Sequence, residues 1–365
     1  PAGIRVDAGA ARGKGHALKG RRMAYKVGFG IFAALLVGVA WMWSPWPAAL
    51  AYRSLMDAGG LWLNAGLAKH VPKGGVAERD LAYAPDDGDA LLDVYRPLEA
   101  KGKPLPAIVW VHGGGYLAGS KELVENYLRI LAGHGYAAVG VGYSLAPGTQ
   151  SPRPIEQVAE ALGYIEANAT RLGIDANRIV LAGDSAGAPI VAQVAAVISS
   201  PDYAKRIGIA APIARERLRG AILFCGVYDP DLQDNATNFA SFLRTATRSY
   251  FGVDDLSDDP RKAQYSIVAN VTASFPPLFI SAGNGDPLLA HSKKLASVAR
   301  GKGIAVDALF FPEQRKPALP HEYQFNLDNA AGREGLGRTL ALLGSVLRQP
   351  GKAPRARASA PAGAT

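Results

Sequence analysis

The chain has 365 residues, 48% of them hydrophobic, enough for one large α/β body with a buried core. Its formal net charge is +9, but the charge sits at the ends: residues 1–26 hold seven Lys/Arg against one acid, and residues 348–365 hold four basic residues and no acid. The body between is near neutral, which excludes the basic surface that a nucleic-acid binder needs.

Residues 1–26 read as a basic segment, either cytoplasmic or ahead of the true translation start. Val27–Trp43 is an uninterrupted apolar run of 17, preceded by Arg21, Arg22 and Lys26, with Trp41, Trp43 and Trp46 at its far end. Seventeen residues are at the lower limit for a membrane span. The positive flank predicts a cytoplasmic amino terminus and a body outside. Two outcomes stay open for residues 27–51. One is an uncleaved transmembrane signal anchor, holding the body on the inner membrane, facing the periplasm or exterior, with residues 27–43 as its membrane contact. The other is a signal peptide cleaved near Ala49-Leu50-Ala51, giving a secreted body.

Residues 52–347 read as the folded domain. Residues 52–88 are expected to form an amphipathic helix and a loop. Strands are then expected at 90–95, 107–112, 136–143, 178–183, 221–227, 278–282 and 305–311. Helices are expected at 121–134, 155–172, 188–199, 288–300 and 332–347. The run AIVWVH at 107–112 is continuously apolar, as a buried parallel strand should be. The alternation predicts an α/β fold whose mostly parallel central sheet is covered by helices on both faces. Residues 230–275 are polar and break it, which fits a lid inserted between two strands; 52–80 and 230–275 are the expected cap elements. Cys225, the single cysteine, lies in the apolar run AILFCGV and reads as a buried, inert thiol. It excludes an intrachain disulfide and a Cys-based zinc site. Residues 348–365 are low in complexity and are expected to be disordered.

Four local patterns carry chemistry. Gly183-Asp184-Ser185-Ala186-Gly187 is a G-x-S-x-G sequence between a strand and a helix, the setting of a nucleophile elbow. His112-Gly113-Gly114-Gly115 follows the strand AIVWVH, where glycines let backbone N–H groups turn toward a developing oxyanion, with the N–H of Ala186 as a further donor. Asp286, in GNGDPL, leaves the end of the strand LFISA and is the candidate acid; Asp229, in VYDP, is its rival. His321, in a loop between the last strand and the last helix, is the candidate base. His291, in the helix after Asp286, reads as a surface residue. The order Ser185, Asp286, His321 is the one expected for a triad on this fold.

With these motifs the sequence resembles the hormone-sensitive-lipase-like family of α/β-hydrolases over about residues 80–347. The resemblance rests on HGGG at 112–115, YSLAP at 143–147, GDSAG at 183–187, GNGDPL at 283–288 and HEYQF at 321–325. It implies an α/β-hydrolase fold with a cap, and a serine carboxylesterase acting through an acyl-enzyme on esters, short-chain by family expectation. Ser185 would be nucleophile, Asp286 acid and His321 base, with oxyanion donors at Gly114, Gly115 and Ala186. Gly113 shapes the turn, and His112 and Asp184 orient. No metal and no organic cofactor is implied. An amidase or formamidase on the same triad, or a non-catalytic ligand-binding relative, are the alternatives.

Overall fold

The computed structural model describes residues 23, 25–39, 43–100, 102–232 and 239–348. The basic amino-terminal segment, apart from Met23, Tyr25 and Lys26, and all of the carboxy-terminal tail but Arg348 lie outside the described residues. Residues 25–39 are helical, and Phe29, Phe32 and Leu35 among others are exposed there. Among the described residues no helix is long and apolar enough to cross a membrane.

One sheet of eight strands organises the body, in the order β1-β2-β4-β3-β5-β6-β7-β8. The strands are β1 (Gly75–Ala82), β2 (Leu91–Pro97), β3 (Leu105–Val111), β4 (Ala137–Val141), β5 (Ile174–Asp184), β6 (Leu218–Phe224), β7 (Leu278–Ala282) and β8 (Val306–Phe310). β1 and β2 are antiparallel to their neighbours, and every other pairing is parallel. The main helices are α1 (Trp46–Leu67), α2 (Glu125–Gly133), α3 (Arg153–Ala167), α4 (Gly187–Ser199), α5 (Ala240–Phe251), α6 (Leu289–Gly301) and α7 (Ala330–Val346). This is the expected mostly parallel sheet flanked by helices.

The sheet's two faces bury separate apolar clusters. Val109, Val111, Leu181 and Leu223 point to the face covered by α3, α4 and α6. Ile108, Trp110, Val180 and Phe224 point to the face covered by α2 and α7. That alternation is the period-2 consequence of a strand buried on both sides. Helix α4 is buried along its whole length, which explains why its sequence is apolar all round.

Four expectations need correction. β1 falls in a stretch read as helix and loop. Its sequence GVAERDLA is mostly exposed at the sheet edge, so it lacks the apolar alternation that marks a strand. The helix expected over 155–172 is interrupted at Asn168, with a separate turn at Ala169–Leu172. The strand expected at 221–227 runs instead from Leu218 to Phe224, so Cys225 sits just past its end. Finally, α1 begins at Trp46, six residues before the expected start of the domain. Ala48 and Ala49 are buried, and Ala49 packs in a small cluster with Phe242, Ala246 and Tyr250 of α5. Helices α1 and α5, which fall partly or wholly in the expected cap stretches, thus pack on each other, with Tyr52 and Met56 also in that cluster; residues 233–238 lie outside the described residues.

Candidate active site

Ser185 stands between β5 and α4 with a positive φ of 47°. A side chain at Gly187 would collide with the carbonyls of Val111 and His112, so only glycine lets α4 start this close to β3. The Ser185 N–H donates to the Phe224 carbonyl at 2.9 Å and pins the strained residue to β6.

His321 reaches Ser185 from the loop after β8. Ser185 Oγ donates to His321 Nε2 at 2.9 Å, and His321 Nδ1 donates to Asp286 Oδ2 at 3.0 Å. The Asp286 carboxylate is fully buried, and its Oδ1 accepts the Leu288 N–H at 2.8 Å. The rival Asp229 is engaged elsewhere: its carboxylate pairs with Lys294 and accepts the Asp231 N–H. His291, expected at the surface, is buried, with Nδ1 facing the Asp229 N–H. Burial, resisted by Asp229, pushes its pKa down to about 4.

The loop carrying His321 is held from β7. Asn284 Oδ1 accepts the Leu319 N–H at 2.9 Å, and the Gly285 N–H donates to the Leu319 carbonyl at 2.9 Å. These contacts set the His321–Asp286 distance, and the sequence reading did not single out Asn284. Its position two residues before the acid was the available signal.

The HGGG segment turns out of β3 toward Ser185. Gly114 has φ 114° and Gly115 φ 60°, and the Gly114 carbonyl accepts from the N–H groups of Leu117 and Ala118, both at 3.0 Å. His112 does not face the reaction. It is buried and stacked on Tyr143 at 4.3 Å, and its Nδ1–H donates to the Gly113 carbonyl at 2.7 Å. Burial, against the pull of that carbonyl, pushes its pKa down to about 4, so the ring is neutral at neutral pH. Asp184 joins the two motifs. Its Oδ1 accepts from Trp110 Nε1 at 2.7 Å and its Oδ2 from the Gly113 N–H at 2.8 Å.

Two groups beside the site were not foreseen as neighbours. Cys225 is fully buried, with its sulfur within 4.8 Å of ligand-type atoms of both His321 and Asp286. Burial pushes its thiol up to about 11, despite an opposing influence from His321. Glu322 adopts φ 58°, with Oε1 3.9 Å from His321 Nε2. For His321 itself, burial works against the charged ring, but Cys225 and Asp286 favour it and the net shift is upward. Because Cys225 is a neutral thiol at neutral pH, the Asp286 carboxylate is the cause we assign to that rise.

Comparison with known proteins agrees with the fold. Residues 108–318 match a family described by its alpha/beta hydrolase fold. The chain belongs to this hormone-sensitive-lipase-like family. The expectation of a serine-hydrolase enzyme on this fold stands with that membership. The esterase LipC of Mycobacterium tuberculosis is 28% identical over 237 residues, which cover 63% of this chain and 56% of LipC. The chain thus spans little more than half of that relative. The carboxylesterase NlhH of the same organism is 29% identical over 293 residues, covering 76% of this chain and 84% of NlhH. Among solved structures, esterase B of Lactobacillus rhamnosis superposes with a TM-score of 0.71 at 22% identity, over 82% of this chain and 95% of that one, a likeness of fold.

Proposed function

We propose that this hydrolase is a serine carboxylesterase that cleaves small carboxylic esters through an acyl-enzyme. The observation that carries the reading is the unbroken hydrogen-bonded series from Asp286 through His321 to Ser185. Ser185 Oγ attacks the ester carbonyl carbon while His321 Nε2 takes its proton. Asp286 holds the ring with Nε2 free to accept and stabilises the imidazolium that forms. The oxyanion is received by the N–H groups of Gly114, Gly115 and Ala186. His321 then returns the proton to the leaving alcohol, and water, deprotonated by the same ring, releases the acid.

Two cavities lie near the candidate site, and neither is lined by Ser185 or His321 themselves. One of about 230 Å³ touches Gly113, Gly114, Asp184 and Glu322, with Met56, Leu63 and Phe325 among its apolar walls. The other, of about 360 Å³, lies under α5 against Tyr116, Gln193 and Leu243. The names of the relatives, esterase and carboxylesterase, support ester hydrolysis.

The test is turnover of a p-nitrophenyl ester series by the full-length wild type and Ser185→Ala. We expect hydrolysis that declines with acyl length and is nearly abolished by the substitution. Turnover retained by Ser185→Ala, or none by a folded wild type, would sink the reading.

We also infer that residues 25–39 anchor the body at a membrane rather than being removed. Their large apolar side chains are exposed, while Ala48 and Ala49, beside the alternative cleavage point, are built into the cap.

A further inference from the structure

A carboxyl pair stands beside the triad, and the mechanism above does not use it. Asp184 is almost wholly buried and Glu322 about three-quarters so. A point one bond from the Gly113 Cα has Asp184 Oδ2, Ser185 Cβ at 2.9 Å and Glu322 Oε1 at 3.0 Å around it. The two carboxyls therefore converge on the first residue of the glycine turn, next to the nucleophile. The apolar cavity that they share is lined by no Lys or Arg among the described residues. With no cation there, two ionised carboxylates would repel across a poorly solvated gap; one retained proton removes the conflict.

We propose that Glu322 is a positioning residue for the ester reaction: its carboxyl shares one proton with Asp184, and the pair braces Gly113 and lies over the His321–Ser185 hydrogen bond. The proposal rests on the serine-esterase reading. Asp184 Oδ2 accepts from Gly113 N and so keeps a second lone-pair direction for the shared proton. Burial first, and Glu322 second, hold the Asp184 carboxyl well above the ordinary carboxylate range. The other groups facing the pair do not neutralise it. His112 is neutral, Cys225 is a thiol, Asp286 lies on the far side of His321, and His321 itself must be neutral to act as base.

With one proton the pair carries a single negative charge. Loss of that proton at alkaline pH doubles the charge beside the oxyanion hole, where the transition state is also negative. It also breaks the shared-proton bond by which Glu322 is tied to Asp184, the acceptor of the Gly113 N–H. The wild-type kcat should therefore fall on the alkaline side, by about tenfold per pH unit once the pair ionises. In Glu322→Gln the like charge is gone and the amide donates to Asp184; burial still favours the Asp184 proton, so the alkaline fall moves to lower pH instead of staying in place. Glu322→Ala has no donor and should lose more kcat than Glu322→Gln. Stability supplies a second readout. A carboxyl whose folded pKa is raised binds its proton more tightly in the native state. Its contribution is full below the ordinary 3.8 and is lost as pH rises through the folded value. The wild type should thus lose stability with rising pH more steeply than Glu322→Gln.

The experiment is kcat and KM against pH for p-nitrophenyl butyrate, with urea midpoints over the same range, for wild type, Glu322→Gln and Glu322→Ala. A wild-type profile with no alkaline fall, the same fall in Glu322→Gln, or equal kcat losses in the two variants overturns the proposal. If Ser185→Ala kept its turnover, the esterase mechanism would fail instead, and the urea midpoints would still report on the pair.

Discussion

Gly114→Ala should separate the oxyanion role of the HGGG turn from its structural role. The wild-type φ of 114° lies beyond the left-handed well that a side chain can occupy, so alanine there is strained by about 1–3 kcal/mol. A Cβ at this position would collide with the Ala118 carbonyl oxygen and stand 3.0 Å from the Gly119 nitrogen. The turn cannot open freely to relieve it, because Leu117 and Ala118 both donate to the Gly114 carbonyl. Giving up one of those bonds adds about 1 kcal/mol, for a total near 2–4 kcal/mol. The remaining route for relief is to tilt the Gly114 peptide, which withdraws an N–H from the oxyanion. Losing one such donor lowers kcat by about a hundred- to a thousandfold. The assay is kcat and KM on a p-nitrophenyl ester, below the variant's own melting transition, with circular dichroism to establish folding. A folded Gly114→Ala enzyme with kcat within about threefold of wild type would refute the reasoning.

Three other outcomes can be checked. Because the pKa of His321 is shifted upward, the acid limb of kcat/KM should have its midpoint above 6.5, and activity should fall below it as the ring becomes charged; Cys225→Ala should leave that midpoint nearly in place, since a neutral thiol adds no charge, and a large displacement would assign the shift to the sulfur instead. Lys121→Met should cost about 3–5 kcal/mol in urea unfolding, because it strips the ammonium at 2.9 Å from the fully buried Asp93 carboxylate; a loss under about 1 kcal/mol would mean that Tyr95, the Asp80 N–H and the more distant Arg79 satisfy Asp93 without it. Full-length protein should stay with membranes through alkaline carbonate washing, and its release would rule out the anchor.

The sequence made Ser185, Asp286 and the glycine turn legible because each follows a strand signal, whereas His321, on a loop well past β8, was found only by its place in the chain order. Apolar runs at 107–112, 178–183 and 278–282 fixed where β3, β5 and β7 stop, and the reactive residues follow directly. What it did not carry were contacts made across the strand ends. Nothing local ties Trp110 to Asp184, 74 positions away, or Asn284 to the loop at Leu319. β1 was missed because an exposed edge strand has no apolar face to display. His291 was misplaced because a helix turned its polar residue inward, toward Asp229. Glu322 was quoted in the motif HEYQF, yet its role depends on a left-handed backbone that a glutamate does not advertise.

The positive φ angles at the strand ends have one physical origin. Ser185 follows β5, Cys225 follows β6, and both hold strained backbones at φ 47° and 44°. Each is fixed by the same device, an N–H donated sideways to the next strand: Ser185 to Phe224 on β6, Cys225 to Ser281 on β7, each at 2.9 Å. A lone residue in this conformation would relax, because the strain of about 1–3 kcal/mol exceeds one net hydrogen bond. Here the ladder of parallel strands supplies further bonds on both sides of each residue, and relaxing one would shift its neighbour. The sheet thus holds Ser185 in place and sets the Cys225 thiol beside His321. It leaves His321, on a loop, as the movable member, held by Asp286 below and the Asn284 tether beside it.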